Sequence, residues 1–444
     1  MNQLKDEWKC VVTLNKLCKQ LENSKYILGF VHSNISLEAA GVEKYILNEV
    51  ELLKKISVKM LNIFPLRNSD SFFDRNILKN YYGIIYEGRF YGAYTKEEII
   101  ALVQLLEKVN CSLLEIQIHH LKNYQLDELM WIFKQIDSKI RFFVHDFFSL
   151  CYTGIMLRNG KEFCGVGTIP ENKCMGCECG ENNQIHFGKM MSFICGLKER
   201  LILVFPSQST ADIWKQTYGE LVKEHIILPH LKIKEEKREK INRFHKKIRI
   251  AFVGAPIFHK GWDDYVDITE KIDRYEYYHF GVQPGTTGNW KQIPVSYLKD
   301  GEDAMTNALL DNQIDIVLML TKCAETYGYT LYESALADCM LISLENRGNI
   351  SDTIRKNKWG YVFKTQNDLL QYLQNEENVA SDLKKFYENK IQLKCEVNDE
   401  LIHLINTEKK VGINNLPLTI SSHHIQNITY CLKMMKRKMK KRKY

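Results

Sequence analysis

The sequence predicts an α/β protein built as two doubly wound domains facing a cleft. Three observations point there. Short apolar β-type runs alternate with helix-spaced segments through both halves of the chain, the mark of mostly parallel sheets. A dense charge run, Leu231 to Lys247, divides the two series. The length of 444 residues suits two domains at roughly 100–200 residues each. With 45% hydrophobic and 26% charged residues the chain has an ordinary globular composition, able to fill two cores.

The first series opens with KYILGFVH, Lys25 to His32, a β-type run. After it Val42, Tyr45, Ile46, Val50, Leu52 and Leu53 recur at helical spacing. LLEIQIH (Leu113 to His119) and IRFFVHD (Ile140 to Asp146) are strands separated by the helix-like LDELMWIFKQI. RLILVFPS (Arg200 to Ser207) is another strand, with a helix beginning near Thr210. Beyond the charge run the strands are KIRIAFVG, ending in Gly254, then YEYYHFGV, QIDIVLML, CMLISLE and WGYVF. Doubly wound sheets bind ligands outside the carboxyl ends of their strands, so the loops that follow these runs are the candidate site. The expected division is residues 1–235, residues 236–410 and a basic tail, 411–444.

No apolar stretch approaches the roughly 18 residues of a transmembrane helix. The opening MNQLKDEWKCVVTLNKLCKQ lacks the apolar block of a secretory signal. The expectation is a cytoplasmic protein whose 13 cysteines are thiols or metal ligands rather than disulfides. The net charge of +7 is concentrated at the end: the last twelve residues hold eight bases and no acid, so the body is near neutral. Lys- and Ile-rich, Pro-poor usage suggests an AT-rich bacterial genome.

Directly after QIDIVLML, the stretch AETYGYTLYESALA carries Glu325 and Glu333, eight positions apart, around Gly328. Thr330 and Glu333 form a T-x-x-E capping-box pattern, in which Glu333 would cap its own helix. The same geometry offers another use. The N–H groups and positive dipole end of a helix start favour a phosphate, and a carboxylate beside them can accept hydrogen bonds from a ribose diol. A second carboxylate on the preceding loop can accept from sugar hydroxyls. Both readings stand.

This E-x7-E arrangement resembles the signature of retaining GT-B glycosyltransferases, family 4 in particular. Other segments resemble that family in its own order. AAGVEKYILNEVELL resembles its glycine-rich first loop and helix, IQIHHLKNYQLDEL and FFVHDFFSLC its two histidine-bearing strand ends, and LVFPSQST the strand before the interdomain crossing. IAFVGAPIFHKGW resembles the first strand of its C-terminal domain, YHFGV the next, and NRGNISDTIRKNKWGYVF the loop and helix after the signature. The resemblance spans Lys25 to Ile405.

It implies two Rossmann-like domains and an enzyme that moves a sugar from a nucleotide-sugar to a glycan or lipid-linked acceptor. The setting would be cell-surface or lipid-linked polysaccharide synthesis, with retention of anomeric configuration and no metal or other cofactor. By the same resemblance, Lys260 pairs with the donor diphosphate, Glu333 holds the ribose hydroxyls and Glu325 contacts the transferred sugar. The backbone of Gly328, Tyr329, Thr330 and Leu331, with Gly41 opposite, approaches the phosphates. His145 lies near the reacting sugar, with Asp146 and His119 on the acceptor side; His120 is the alternative to His119. The chain departs from the family at Ala255, where an arginine often stands, and at Ala40-Gly41, where two glycines are usual. A catalytically degenerate GT-B protein serving as a binding or scaffold partner is therefore the second reading. No D-x-D motif follows a strand, and Asp263-Asp264 reads as the acidic first turn of a helix.

Two features lie outside this frame. Cys164, Cys174, Cys177 and Cys179 are spaced closely enough to close a structural zinc site, or stand as free loop thiols. The tail CLKMMKRKMKKRKY mixes bases with Leu432 and methionines, a composition suited to an anionic membrane surface, such as the inner face of the plasma membrane. A solvated end and nucleic-acid contact are the other readings of the tail, and nucleic acid is not an expected partner.

Overall fold

The computed structural model describes residues 14–35, 41–67, 77–165, 174–236, 246–408 and 411–441. Ala40, residues 237–245 of the charge run, and Arg442 and Lys443 of the tail lie outside the described residues.

The first domain holds an eight-stranded sheet. Its strands are β1 (Lys25–Phe30), β2 (Val58–Pro65), β3 (Tyr82–Tyr86), β4 (Arg89–Tyr94), β5 (Ser112–Ile118), β6 (Ile140–Phe143), β7 (Leu201–Phe205) and β8 (Glu224–Ile227). They lie in the order β8-β7-β6-β5-β1-β2-β3-β4. Pairing is parallel from β8 to β2 and antiparallel through β3 and β4. The parallel strands are nearly continuous apolar runs, so both faces must be covered. One apolar cluster gathers around Tyr26, Ile116 and Trp214, and a second, on the other face, around Ile27, Phe143 and Tyr430.

The second domain holds six strands: β10 (Arg249–Val253), β11 (Glu276–Phe280), β12 (Trp290–Ile293), β13 (Ile316–Met319), β14 (Met340–Leu344) and β15 (Gly360–Phe363). All are parallel, in the order β12-β11-β10-β13-β14-β15, the strand order of a dinucleotide-binding sheet. Between the domains, β9 (Leu231–Glu235) pairs antiparallel with β16 (Leu393–Val397). The chain therefore crosses twice. Beyond β16 it returns to the first domain, where Leu401, Ile405, Tyr430 and Met434 join the core.

Five helices matter below: α1 (Gly41–Lys55), α2 (Gln208–Tyr218), α3 (Tyr329–Leu336), α4 (Asn349–Asn357) and α5 (His424–Lys441). The winding direction reverses between β1 and β5 in one sheet and between β10 and β13 in the other. Crevices form at such reversals. That beside β10 depends on a turn at Phe258–Lys260, which ends at Gly261 with φ 84°. A Cβ on Gly261 would lie 2.0 Å from the Leu320 carbonyl oxygen, just past β13. Gly261→Ala is expected to destabilise the fold by about 2–4 kcal/mol, seen as a lowered urea midpoint with unchanged slope.

Candidate active site

The two reversals meet across a cavity of about 350 Å3. Its walls include Gly254, Lys260, Glu325 and Tyr329 from the second domain and Gly41, His145 and His230 from the first domain and its exit. A separate groove of about 890 Å3 runs beside the crossing, past Gln208, Asp352 and Trp359, and contains neither glutamate of the E-x7-E stretch.

Glu325 follows β13 and is held by its backbone. Its N–H donates to the Arg347 carbonyl at 3.1 Å and its own carbonyl accepts from Asn349 N–H at 2.9 Å. Gly348 makes this approach feasible: it has φ 60°, and a Cβ there would lie 2.6 Å from the Glu325 carbonyl oxygen. So placed, the Glu325 carboxylate meets Lys260 Nζ at 2.5 Å and accepts from Thr321 Oγ1 at 3.2 Å. Burial opposes both charges, but the pairing outweighs it: Lys260 is raised above, and Glu325 held below, its ordinary value. Asp263 and Asp264 stand in the first turn of the helix Trp262–Lys271, where Lys322 meets Asp264 at 2.8 Å.

Helix α3 begins two residues earlier than a Thr330 cap requires. Gly328, with φ 76°, is its N-cap, and no side chain caps the start. The capping-box reading of Thr330 and Glu333 is thereby corrected: Thr330 lies inside the helix and Glu333 turns to the other domain. There it meets Lys44 Nζ of α1 at 3.0 Å. Lys44 also sits 4.8 Å from the ring centres of Tyr297 and Tyr329. The first-turn N–H groups at Tyr329 and Thr330 cannot be served within the helix, and both residues line the cavity. Leu331 turns into the core of the second domain. Gly41 opens α1 against the Tyr329 ring, 3.6 Å from where its Cβ would stand.

On the first-domain side, histidines end the strands. His119 Nδ1 lies 3.3 Å from His145 Nε2, and His119 Nε2 lies 3.2 Å from Gln117 Oε1 and 3.5 Å from the Glu49 carboxylate. His120 is a different case: it accepts from Lys122 N–H through Nδ1 and bonds Asp146 through Nε2 at 2.9 Å. His119 and His145 thus form one unit, His120 and Asp146 another. His230, after β8, stacks among Tyr45, Tyr327 and Tyr329 with centroids 4.2–5.3 Å away. Burial lowers His119 and His230 to about 3, lowers His145 well below its usual value, and raises Glu49 to about 8. These groups are uncharged at neutral pH. Burial alone would raise Asp146, but His120 and the Phe148 N–H keep it low.

Lys44, Glu49, Tyr297 and His230 carried no local signal in the sequence, and Tyr45 showed only as part of a helix's apolar spacing. Lys44 and Glu333 are 289 positions apart, and only the fold shows them as partners. The cysteine loop gains no support as a zinc site. Among the described residues no group of three or more His, Cys, Asp or Glu side chains is arranged to hold a metal. Burial, together with the neighbouring thiols, raises Cys164, Cys174 and Cys179, and Cys174 Sγ accepts from Asn183 at 2.9 Å.

No protein-family model and no curated protein matches the sequence. Solved structures do match the fold. Sucrose-phosphate synthase from Thermosynechococcus elongatus superposes with a TM-score of 0.53, at 9% identity, over 94% of this chain and 99% of that one. Anabaena HepE in complex with UDP-glucose matches with a TM-score of 0.45, at 8% identity, over 93% and 99%. A glycosyltransferase from Rickettsia africae matches with a TM-score of 0.45, at 12% identity, over 83% and 95%. The fold is GT-B: two doubly wound Rossmann-like domains facing a cleft.

The buried Glu49 makes stability depend on pH. Its folded value lies above that of the unfolded chain, so its contribution is complete below about pH 4.5 and is lost as pH rises toward 8. Each pH unit within that window costs about 1.4 kcal/mol. Urea midpoints of Glu49→Gln and the parent should coincide near pH 5, and the variant should become the more stable of the two toward pH 8. Parallel curves would mean that Glu49 ionises freely in the fold.

Proposed function

We propose that the protein is a glycosyltransferase that takes a sugar from a nucleotide-sugar and passes it to a hydroxyl of a glycan or lipid-linked acceptor. One observation carries the reading. At the winding reversal of the second sheet, a cation (Lys260), an open helix start (Tyr329, Thr330) and a carboxylate (Glu325) meet in one cavity with His145 of the other domain.

The chemistry follows from charge. As the bond between the sugar's anomeric carbon and the diphosphate oxygen breaks, negative charge builds on the leaving group. Lys260 and the first-turn N–H groups of α3 stand where they stabilise it. Glu325 keeps Lys260 protonated and offers an acceptor to sugar hydroxyls. Glu333, held by Lys44, is free on its remaining lone pairs to accept from the ribose. The acceptor hydroxyl attacks from the face the diphosphate leaves, and its proton passes to the departing phosphate oxygen. Configuration is then retained. His145 bounds the acceptor side as a neutral imidazole, with the buried His119 behind it, and no cofactor beyond the donor enters the scheme.

One observation favours a second reading. Both glutamates are already ion-paired, with Lys260 and Lys44, and Ala255 supplies no further cation. A protein that binds nucleotide-sugar without turning it over would have such a cleft.

Thermal unfolding against UDP, GDP, ADP, CMP and dTDP tests the site. A nucleotide at 100 times its dissociation constant stabilises by about 2.7 kcal/mol, and the raised midpoint should vanish in Glu333→Ala. With the sugar ester of that nucleotide, Lys260→Ala should cut turnover by about 10²–10³-fold. Product NMR should show the donor's anomeric configuration. Binding without turnover by the unaltered protein selects the second reading, and no stabilisation by any nucleotide overturns both.

A further inference from the structure

Helix α5 has two apolar faces, and the fold uses one. Asn427, Tyr430 and Met434, at i, i+3 and i+7, are buried against the first domain. Asn427 accepts from Ala93 N–H at 2.8 Å, and Tyr430 packs on Phe64 and Phe90 with ring centres 5.5 and 4.5 Å away. Just before the helix, His423 meets Glu98 at 2.6 Å and Ser421 N–H donates to the same carboxylate at 2.7 Å. The helix is therefore anchored, with a defined outer side.

That outer side carries Ile425, Ile428 and Leu432, again at i, i+3 and i+7, each two positions from a buried residue and so about 200° round the helix from it. They are 66%, 58% and 47% exposed. Lys436, one turn past Leu432, is exposed beside them. The helix contains no acid, and seven of the eight terminal bases follow Lys433. An apolar stripe bordered by lysines fits an interface that is oily inside and negative at its surface. It does not fit a nucleic-acid backbone, which has no use for the isoleucines. No helix among the described residues is long and apolar enough to cross a membrane. The stripe can lie on a bilayer but not through it.

We propose that α5 docks the protein on an anionic lipid bilayer through Ile425, Ile428, Leu432 and the lysines beside them. The position of α5 links docking to the cleft. Tyr430 OH accepts from Asn34 Nδ2 at 3.0 Å, and Asn34 belongs to the loop after β1, next to His32 and the first domain's winding reversal. A docked α5 brings that rim to the bilayer, so the acceptor would be a hydroxyl on a lipid-borne carrier. This last step rests on the transferase reading; the docking does not.

The test is co-sedimentation of the full chain with vesicles of phosphatidylcholine alone or mixed with phosphatidylglycerol. Binding is expected with the anionic vesicles only, and it should weaken in high salt. Lys436→Glu should weaken it by roughly tenfold, and Ile425→Ser/Ile428→Ser by at least as much. Nucleotide stabilisation, measured on each variant, reports separately on folding and on the transferase site. Equal binding to neutral vesicles, or unchanged binding by both folded variants, overturns the proposal. So does retention on single-stranded RNA without retention on vesicles. Should the serine variant fail to fold, Lys436→Glu decides alone.

Discussion

The five residues from Ala324 to Gly328 are the constraint on which the site depends. The middle three are tied to distant parts of the chain. Glu325 is bonded at both backbone polar groups to the Arg347–Asn349 turn. Thr326 reaches the first domain twice: its hydroxyl donates to the His145 carbonyl at 2.6 Å, while its own carbonyl accepts from Ser207 and Thr210 at the start of α2. Tyr327 OH accepts from the N–H of Leu231, and its carbonyl accepts from Asn349. Three successive residues with so many bonds to distant parts of the chain have little freedom left. The Glu325 carboxylate and the Gly328 helix start follow from that immobility, and so does the position of His145 opposite.

Electrostatics in the cleft are arranged in pairs rather than as a field. Lys260 answers Glu325, Lys44 answers Glu333, and the buried imidazoles stay uncharged. The two lysines differ in purpose. Lys260 belongs to the same domain as its partner, so their spacing is set by local geometry. Lys44 comes from across the cleft, and its distance to Glu333 measures how closed the two domains are. Tyr297 and Tyr329 flank that bridge and shield it from water, which strengthens a pair that full exposure would weaken.

Much of the fold was legible because buried parallel strands write themselves as apolar runs. β1, β5, β6, β7, β10, β11, β13, β14 and β15 all stand where such runs occur. β2, β3 and β4 were missed, although VKMLNIFP is as apolar as the rest. For the hairpin the usable signal was Glu87-Gly88, both at positive φ (48° and 70°), a two-residue turn. The E-x7-E stretch was visible as a loop after a strand, but the partner of Glu333 was not. A capping box is a local pattern, whereas Lys44 reaches Glu333 only through the meeting of two domains. The histidines show the same limit: HH at 119–120 is plain in the sequence, and only packing separates the one facing His145 from the one bonded to Asp146.

The antiparallel pair of β9 with β16 has a mechanical consequence. A single connecting strand would let one domain swivel about it freely. Two strands hydrogen-bonded side by side, from Leu231↔Val397 to Glu235↔Leu393, behave as a strap. A strap resists torsion and stretch and bends easily in one direction only. Leu231, Ile233 and Leu393 seat this pair on the core of the second domain, so the strap is part of that domain's body, and opening the cleft would part the Lys44–Glu333 bridge.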